Sequence, residues 1–321
     1  MTRVLTTVQG FVTQCPGAVE RLGAAGFDVV ELPSADVDRR DDLADVAHVI
    51  ATGDRWDAAR LDRFPRLRLL HRFGTGYERI DLAAAAARGV TVSYAPGGNA
   101  PAVAEATVAM MITALRGLHE MASALDRGRW APRAGGELSG RTVGLYGFGA
   151  VAQSVARLLS GFDVELLACT RTPVPALAGK LGVTLVRPDV LRARSDVLSL
   201  HLPAVPRAPA LVDAAFLAGL RPGAVLVNTA RGALIDEGAL LAALESGRLA
   251  GAALDVFARE PAEPGDPLLS HPAVYALPHV GASSHETFTR NGRTAAEAVL
   301  AAAAGRTPRH PLAVPETQEA P

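Results

Sequence analysis

The chain has 321 residues, enough for two domains that each bury a hydrophobic core. With 49% hydrophobic residues, 20% charged residues and a formal net charge of −1, it offers no electrostatic case for nucleic acid or for an anionic membrane surface. The longest apolar run, residues 298–304, is far too short to span a bilayer, and Cys15 and Cys169 form no metal or redox spacing. A cytoplasmic protein without a membrane, nucleic-acid or metal partner is the expectation, and the arginine-rich basic charge (Lys180 is the only lysine) reads as genome composition.

Residues 3–8, 28–32, 48–52, 67–72 and 91–94 read as short buried strands. Helical spacing occupies 17–25, 57–64 and 82–88 between them, with Gly26 and Gly89 placed where left-handed caps are expected. Such alternation implies a parallel sheet covered by helices on both faces. A long helix is predicted over 102–125. It is more apolar than a helix with one wet face, so burial between domains or subunits is expected.

The β-rich run 143–146 empties into Gly147-Phe148-Gly149-Ala150-Val151-Ala152. Helical spacing follows, with Val151, Val155, Leu158 and Leu159 on one face and Gly161 as the stop, and then a strand over 163–170. This is the start of a βαβ unit with a glycine-rich first turn. Gly147 permits the turn, Gly149 lets backbone approach a pyrophosphate, and Ala152 lets helix and strand pack closely. The helix N-terminus then offers unpaired N–H groups to phosphate. Further strands are predicted at 183–186, 196–201, 224–229, 252–256 and 274–277. Helices are expected at 213–220, 236–246 and 286–304, and the tail 315–321 reads as disordered. Because the glycine turn opens in mid-chain, the nucleotide domain is expected to be inserted in a smaller one built from both ends. The active site is then expected in the cleft between them, beyond the carboxyl ends of the strands.

Three segments at predicted strand ends carry candidate chemistry. Arg231 follows Val227-Asn-Thr-Ala and suits a carboxylate, which its planar fork holds by two hydrogen bonds. Glu260 precedes Pro261, and His279 stands between Pro278 and the Gly281 turn. Taken singly, each has a plain reading: a capped surface arginine, a turn glutamate, a hydrogen-bonded structural histidine. Together they match the reduction of a 2-oxo acid. An imidazole delivers the proton to the ketone oxygen, a carboxylate fixes its tautomer, and a guanidinium orients the substrate.

With these motifs in order, the chain resembles the D-isomer-specific 2-hydroxyacid dehydrogenase family over nearly all its length. Segments 227–236, 252–261 and 277–284 match that family's Arg, Glu and His signatures, and 143–152 its nucleotide turn. The run His71-Arg-Phe-Gly74-Thr75-Gly76 resembles its substrate loop, and 95–105 its crossover into the long helix. The resemblance implies an α/β fold of two doubly wound parallel-sheet domains. A Rossmann-type nucleotide domain, residues 99–285, is inserted into a smaller flavodoxin-like substrate domain, residues 1–98 and 286–321. It implies that Arg231 binds substrate, Glu260 pairs with the histidine, and His279 is the acid/base. Gly74, Thr75 and Gly76 are implied to hold the substrate carboxylate. Gly147, Phe148, Gly149, Ala150, Val151, Thr170, Arg171, His201, Pro203, Thr229, Ala230, Asp255 and Gly281 are implied to contact the cofactor. A homodimer is implied as well. Formate dehydrogenases of the same superfamily place Gln beside the histidine, so Glu260 argues against that activity. Departures are Ala106, where the family often has His, and Val205 and Ala208, where it usually has hydroxyls.

NAD-using enzymes place an acid after the second strand to bind the ribose 2′-OH. Here Ala168-Cys-Thr170-Arg171-Thr172 has none, and Thr170 and Arg171 suit a 2′-phosphate, so NADP(H) is favoured and NAD(H) remains possible. Within the family this strand resembles glyoxylate or hydroxypyruvate reductases, whereas Pro96-Gly-Gly-Asn99 resembles phosphoglycerate dehydrogenases. At this length the extra C-terminal regulatory domain that many of the latter carry is not expected, although short forms of them exist. Loops 9–15 and 52–56 are expected to set substrate identity. A nucleotide-sensing binding protein on the same fold is the rival from another class.

Overall fold

A computed structural model describes residues 2–205 and 208–314; the tail 315–321 and residues 206 and 207 of the loop after His201 lie outside the described residues. The chain forms two compact units, one taking the chain to Asn99 and again from Ser283, the other Ala100–Ala282. The larger unit is thus inserted in the smaller.

In the first unit, β1 (Thr2–Thr6), β2 (Phe27–Glu31), β3 (His48–Ala51), β4 (Leu69–Arg72) and β5 (Thr91–Tyr94) form a parallel sheet in the order β2-β1-β3-β4-β5. That is the flavodoxin-like order, with its switch point between β1 and β3. Successive residues alternate between two cores: Leu5, Val49, Leu70 and Val92 face one, and Val4, Ile50 and Leu69 the other. Helix His285–Ala303 brings the chain back to this second core through Ala295, Ala296 and Val299. Gly26 (φ 85°) and Gly89 (φ 66°) are the left-handed residues expected beyond two of the helices.

In the second unit, β6 (Thr142–Tyr146), β7 (Glu165–Cys169), β8 (Val183–Leu185), β9 (Val197–Leu200), β10 (Ala224–Asn228), β11 (Leu249–Leu254) and β12 (Val274–Ala276) form a parallel sheet. Its order is β12-β11-β10-β9-β6-β7-β8, the doubly wound arrangement with a reversal between β6 and β9. Both faces are covered: Phe216 and Leu240 pack on one, Val108, Met111, Val155 and Leu159 on the other.

Several expectations for the helices are corrected. The long helix is two helices, Ala100–Arg116 and Leu118–Asp126, bent by 73° at Gly117, whose φ of 59° breaks the hydrogen-bond ladder. The first packs its apolar face on the sheet of its own unit, which accounts for its composition, and only Ala124 of the second is buried. In the helix Ala150–Leu159, Ala152, Val155, Ala156 and Leu159 face inward, while Leu158 is exposed. The helix stops at Leu159 with Ser160 as its cap, just before Gly161 as expected, and the left-handed residue of the turn that follows is Asp163 (φ 51°). Among the described residues no single helix is long and apolar enough to cross a membrane.

Candidate active site

The reversal point of the larger sheet is formed by the ends of β6 and β9. Gly147 has φ 103°, and a Cβ there would sit 2.3 Å from the carbonyl oxygen of His201, so the two strand ends touch through backbone. Gly149 has an ordinary φ of −79° and open space where a Cβ would lie. It caps helix Ala150–Leu159, which has neither a side-chain cap nor an acid in its first turn. The amides that begin this helix are therefore available to an anion, and Gly149 leaves room for one to approach. These features fit the pyrophosphate of a dinucleotide. Phe148 is buried, and its carbonyl accepts from Gln153 Nε2 at 2.8 Å. Ala150 is exposed and Val151 half-buried beside it. Thr170 and Arg171 follow β7 with no acid between them, and Arg171 is exposed. After β9, burial pushes the His201 imidazole down to about 4, and its Nε2 has no partner among the described residues. Pro203 is exposed beyond it.

Arg231 sits just past β10 on a turn shaped by buried Asn228. The Asn228 carboxamide accepts from the Ala230 N–H at 3.0 Å and donates to the Arg231 carbonyl at 2.9 Å. Thr229 Oγ1 lies 2.8 Å from Thr107 Oγ1 on the first long helix, which fixes the other side of the turn. Gly232 follows, and a Cβ there would fall 1.9 Å from the carbonyl carbon of Phe257. The arginine loop is thus pressed against the loop that leads from β11 to Glu260. The sequence reading missed Asn228 and Gly232. An Asn two residues before a small residue at a strand end is a turn signal that was available.

Glu260 and His279 come together as a pair. Glu260 Oε2 accepts from His279 Nδ1 at 2.8 Å, and Oε1 accepts from the Phe257 N–H at 3.1 Å. A carboxylate only accepts, so Nδ1 carries a proton and Nε2 is the ring nitrogen that Glu260 does not engage. The hydrogen bond to Glu260 raises the His279 pKa above its ordinary value. Burial works against this, as does the nearby Arg231. Arg231 directly precedes Gly232, whose turn is pressed against Phe257, the residue whose N–H anchors Glu260.

Asp255, at the end of β11, is buried and takes the N–H groups of Val280 at 2.8 Å and Gly281 at 2.9 Å. Its carbonyl accepts from the His279 N–H at 2.8 Å. His279 itself has φ 55°, a strained value for a residue with a side chain. Asp255 therefore holds the strained turn that aims the imidazole. Burial raises its pKa, and the two N–H groups oppose the shift. A Cβ on Gly281 would meet Asp255 Oδ2 at 2.7 Å and the Ala106 methyl at 3.8 Å, so Ala106 borders this turn.

In the first unit, the loop Gly74-Thr75-Gly76 follows β4. Arg72 shapes it by donating to the carbonyls of Gly76 and Phe73, both at 2.6 Å, and Gly74 has φ 144°. Sequence reading had no signal for this bracing. The loops after β1 and β3 are also fixed. Glu31 accepts from the Gly10 and Val12 amides, and Asp54 is held by Thr7, Ser34 and the buried Arg60 at 3.0–3.1 Å.

Residues 108–281 match the family profile described as D-isomer specific 2-hydroxyacid dehydrogenase, NAD binding domain. The chain is 40% identical to a D-3-phosphoglycerate dehydrogenase of Mycobacterium leprae over 78% of its own length and 47% of that enzyme's, so it spans about half the length of that relative. It is 34% identical to a glyoxylate reductase of Aeropyrum pernix, over 83% of this chain and 82% of that one. A crystal structure of an NADPH-dependent glyoxylate/hydroxypyruvate reductase from Sinorhizobium meliloti, in complex with NADP and malonate, superimposes with a TM-score of 0.83. It is 33% identical and covers 97% of this chain and 96% of that one. With this doubly wound sheet, this glycine turn and this Arg–Glu–His grouping, the matches leave one assignment: the chain belongs to the D-isomer-specific 2-hydroxyacid dehydrogenase family.

Proposed function

We propose that the protein is an NAD(P)-dependent D-2-hydroxyacid dehydrogenase that reduces a small 2-oxo acid of the glyoxylate or hydroxypyruvate kind. The observation that carries this reading is the 2.8 Å contact of His279 with a Glu260 carboxylate already anchored on backbone, with the turn after Arg231 packed on the same loop. Arg231 binds the substrate carboxylate through paired charge-assisted hydrogen bonds. A bound reduced nicotinamide would supply the hydride to the carbonyl carbon. His279 gives its Nε2 proton to the carbonyl oxygen, and Glu260 stabilises the imidazolium that makes this possible. In the reverse direction His279 takes the hydroxyl proton as a base. Gly147, Gly149 and the amides of Ala150 and Val151 would hold the diphosphate, with Thr170 and Arg171 on the adenosine ribose. The missing acid after β7 favours NADP(H), in keeping with the NADP found in the Sinorhizobium relative. Gly74, Thr75 and Gly76 are assigned to substrate by resemblance.

Phosphoglycerate dehydrogenase activity is the second reading, favoured by the 40% identity to the mycobacterial enzyme. Steady-state rates with glyoxylate, hydroxypyruvate and 3-phosphohydroxypyruvate, each with NADPH and NADH, separate the two. The first reading expects the unphosphorylated acids with NADPH to give the higher kcat/KM. Tight nucleotide binding without turnover on any of them would instead indicate a nucleotide sensor. Replacing His279 or Arg231 by Ala should lower turnover about 100-fold or more if they act at the chemical step.

A further inference from the structure

The first unit holds an open polar cavity of about 390 Å³ between the C-terminal half of helix His285–Ala303, the segment that follows it, and the strands β4 and β5. Its floor is His71, which is fully buried. One ring nitrogen, Nδ1, lies 2.8 Å from Ser93 Oγ, and the other, Nε2, has no partner among the described residues. Leaving a buried ring nitrogen unpaired is costly, and His71 is among the residues that line the cavity. Burial pushes His71 down to about 3, so the ring is neutral near pH 7. In the tautomer whose Nδ1 accepts from Ser93 Oγ–H, the proton of the neutral ring stands on Nε2 as a donor.

The rim supplies charge. Arg21 is paired with Glu297 at 3.3 Å, whereas Arg306 and Arg309 are exposed and form no ion pair among the described residues. Three guanidinium groups therefore stand against one carboxylate. His310 is held over the edge by its carbonyl, which accepts from the Tyr94 N–H at 3.2 Å. The volume suits a small organic molecule rather than a single water. Planar guanidinium forks with a buried N–H donor behind them match carboxylate or phosphate oxygens.

We propose that this cavity binds a small dianion, a dicarboxylate or a phosphate monoester, with Arg306 and Arg309 on its charged groups and His71 Nε2 donating to an inner oxygen. Binding here involves only residues of the first unit and does not depend on the dehydrogenase assignment.

The test is a titration of the intact, ¹⁵N-labelled protein with malonate and, separately, inorganic phosphate, each against sodium chloride of matched ionic strength. The signal read is the His71 ring nitrogen, assigned through its own side-chain-to-backbone correlations, because either anion would also visit the glycine turn. A saturable shift of that nitrogen is expected, and the more effective anion tells dicarboxylate from phosphate. The variant carrying Arg306→Gln and Arg309→Gln, both exposed positions that do not bear on folding, should weaken binding about tenfold or more. A His71 signal that follows neither anion beyond the chloride control, or one that shifts equally in the double variant, overturns the assignment.

Discussion

Oε2 of Glu260 accepts from His279 Nδ1 while its Oε1 is held by the Phe257 N–H, so the carboxylate is anchored on its own loop before it orients the imidazole. This pairing sets a pH dependence. The hydrogen bond to Glu260 raises the His279 pKa above 6.5. A raised histidine adds stability that is fully present below its unfolded pKa and is lost as pH rises through the folded value. The side chains are 53% and 35% exposed, so solvent screens the effect on stability and the kinetic readout is the sensitive one. For reduction, kcat/KM should fall with an apparent pKa above 6.5, and Glu260→Gln should move that pKa down. Equal pH profiles for the two enzymes would separate Glu260 from proton delivery.

Asp255 gives a second prediction. Its carboxylate satisfies two backbone N–H groups next to His279, whose φ of 55° needs that support. Asp255→Ala removes both acceptors, so unfolding in denaturant should show a loss of about 2 kcal/mol or more. Turnover should fall with it, because the imidazole loses its aim. Wild-type stability and turnover in this variant would mean that the turn holds itself.

The twelve strands among the described residues were legible because parallel strands buried on both faces are written as unbroken apolar runs, such as Ala224–Asn228. The helices Phe11–Gln14, Ser34–Val37 and Pro267–Ser270 were not, since four residues hold barely one turn and leave no periodicity to read. Pro188–Arg194 did carry a signal, a proline at its first position. The break at Gly117 was also written in the chain, but the apolar run around it outweighed a single glycine. For the site, sequence supplied the charged groups and their strand ends. It could not supply Asn228 bracing the arginine turn, Gly232 against Phe257, or Asp255 holding the histidine turn, because those are contacts between segments far apart along the chain.

The two turn glycines should fail in different ways. At Gly147 both φ and the His201 carbonyl exclude a side chain, so Gly147→Ala should cost several kcal/mol (about 2–4) and lower Tm without ligand. At Gly149 the backbone is ordinary and the space open, so Gly149→Ala should keep stability within about 0.5 kcal/mol. Its added methyl then lies where backbone must meet pyrophosphate, and the dinucleotide Kd should rise about tenfold or more. Thermal unfolding of the free proteins and nucleotide titration of Gly149→Ala check the pair. An unchanged Kd there would remove the pyrophosphate from this turn.

The proposed preference for NADP(H) rests on Arg171, exposed just past β7 with no carboxylate beside it in sequence. An exposed guanidinium contributes little to folding, so Arg171→Ala should leave Tm unchanged. Against a 2′-phosphate it makes a charge-assisted contact, and losing that should raise the KM for NADPH about tenfold or more. The KM for NADH should barely move, because a ribose 2′-hydroxyl gives the guanidinium no charge to pair with. The double variant Thr170→Asp with Arg171→Ala goes further: the new carboxylate repels a 2′-phosphate and accepts from a 2′-hydroxyl, so kcat/KM should invert in favour of NADH. Steady-state kinetics with both nucleotides across the three proteins measure this. If Arg171→Ala weakens both cofactors equally, the guanidinium serves the shared diphosphate and the preference for NADP(H) has no support at this position.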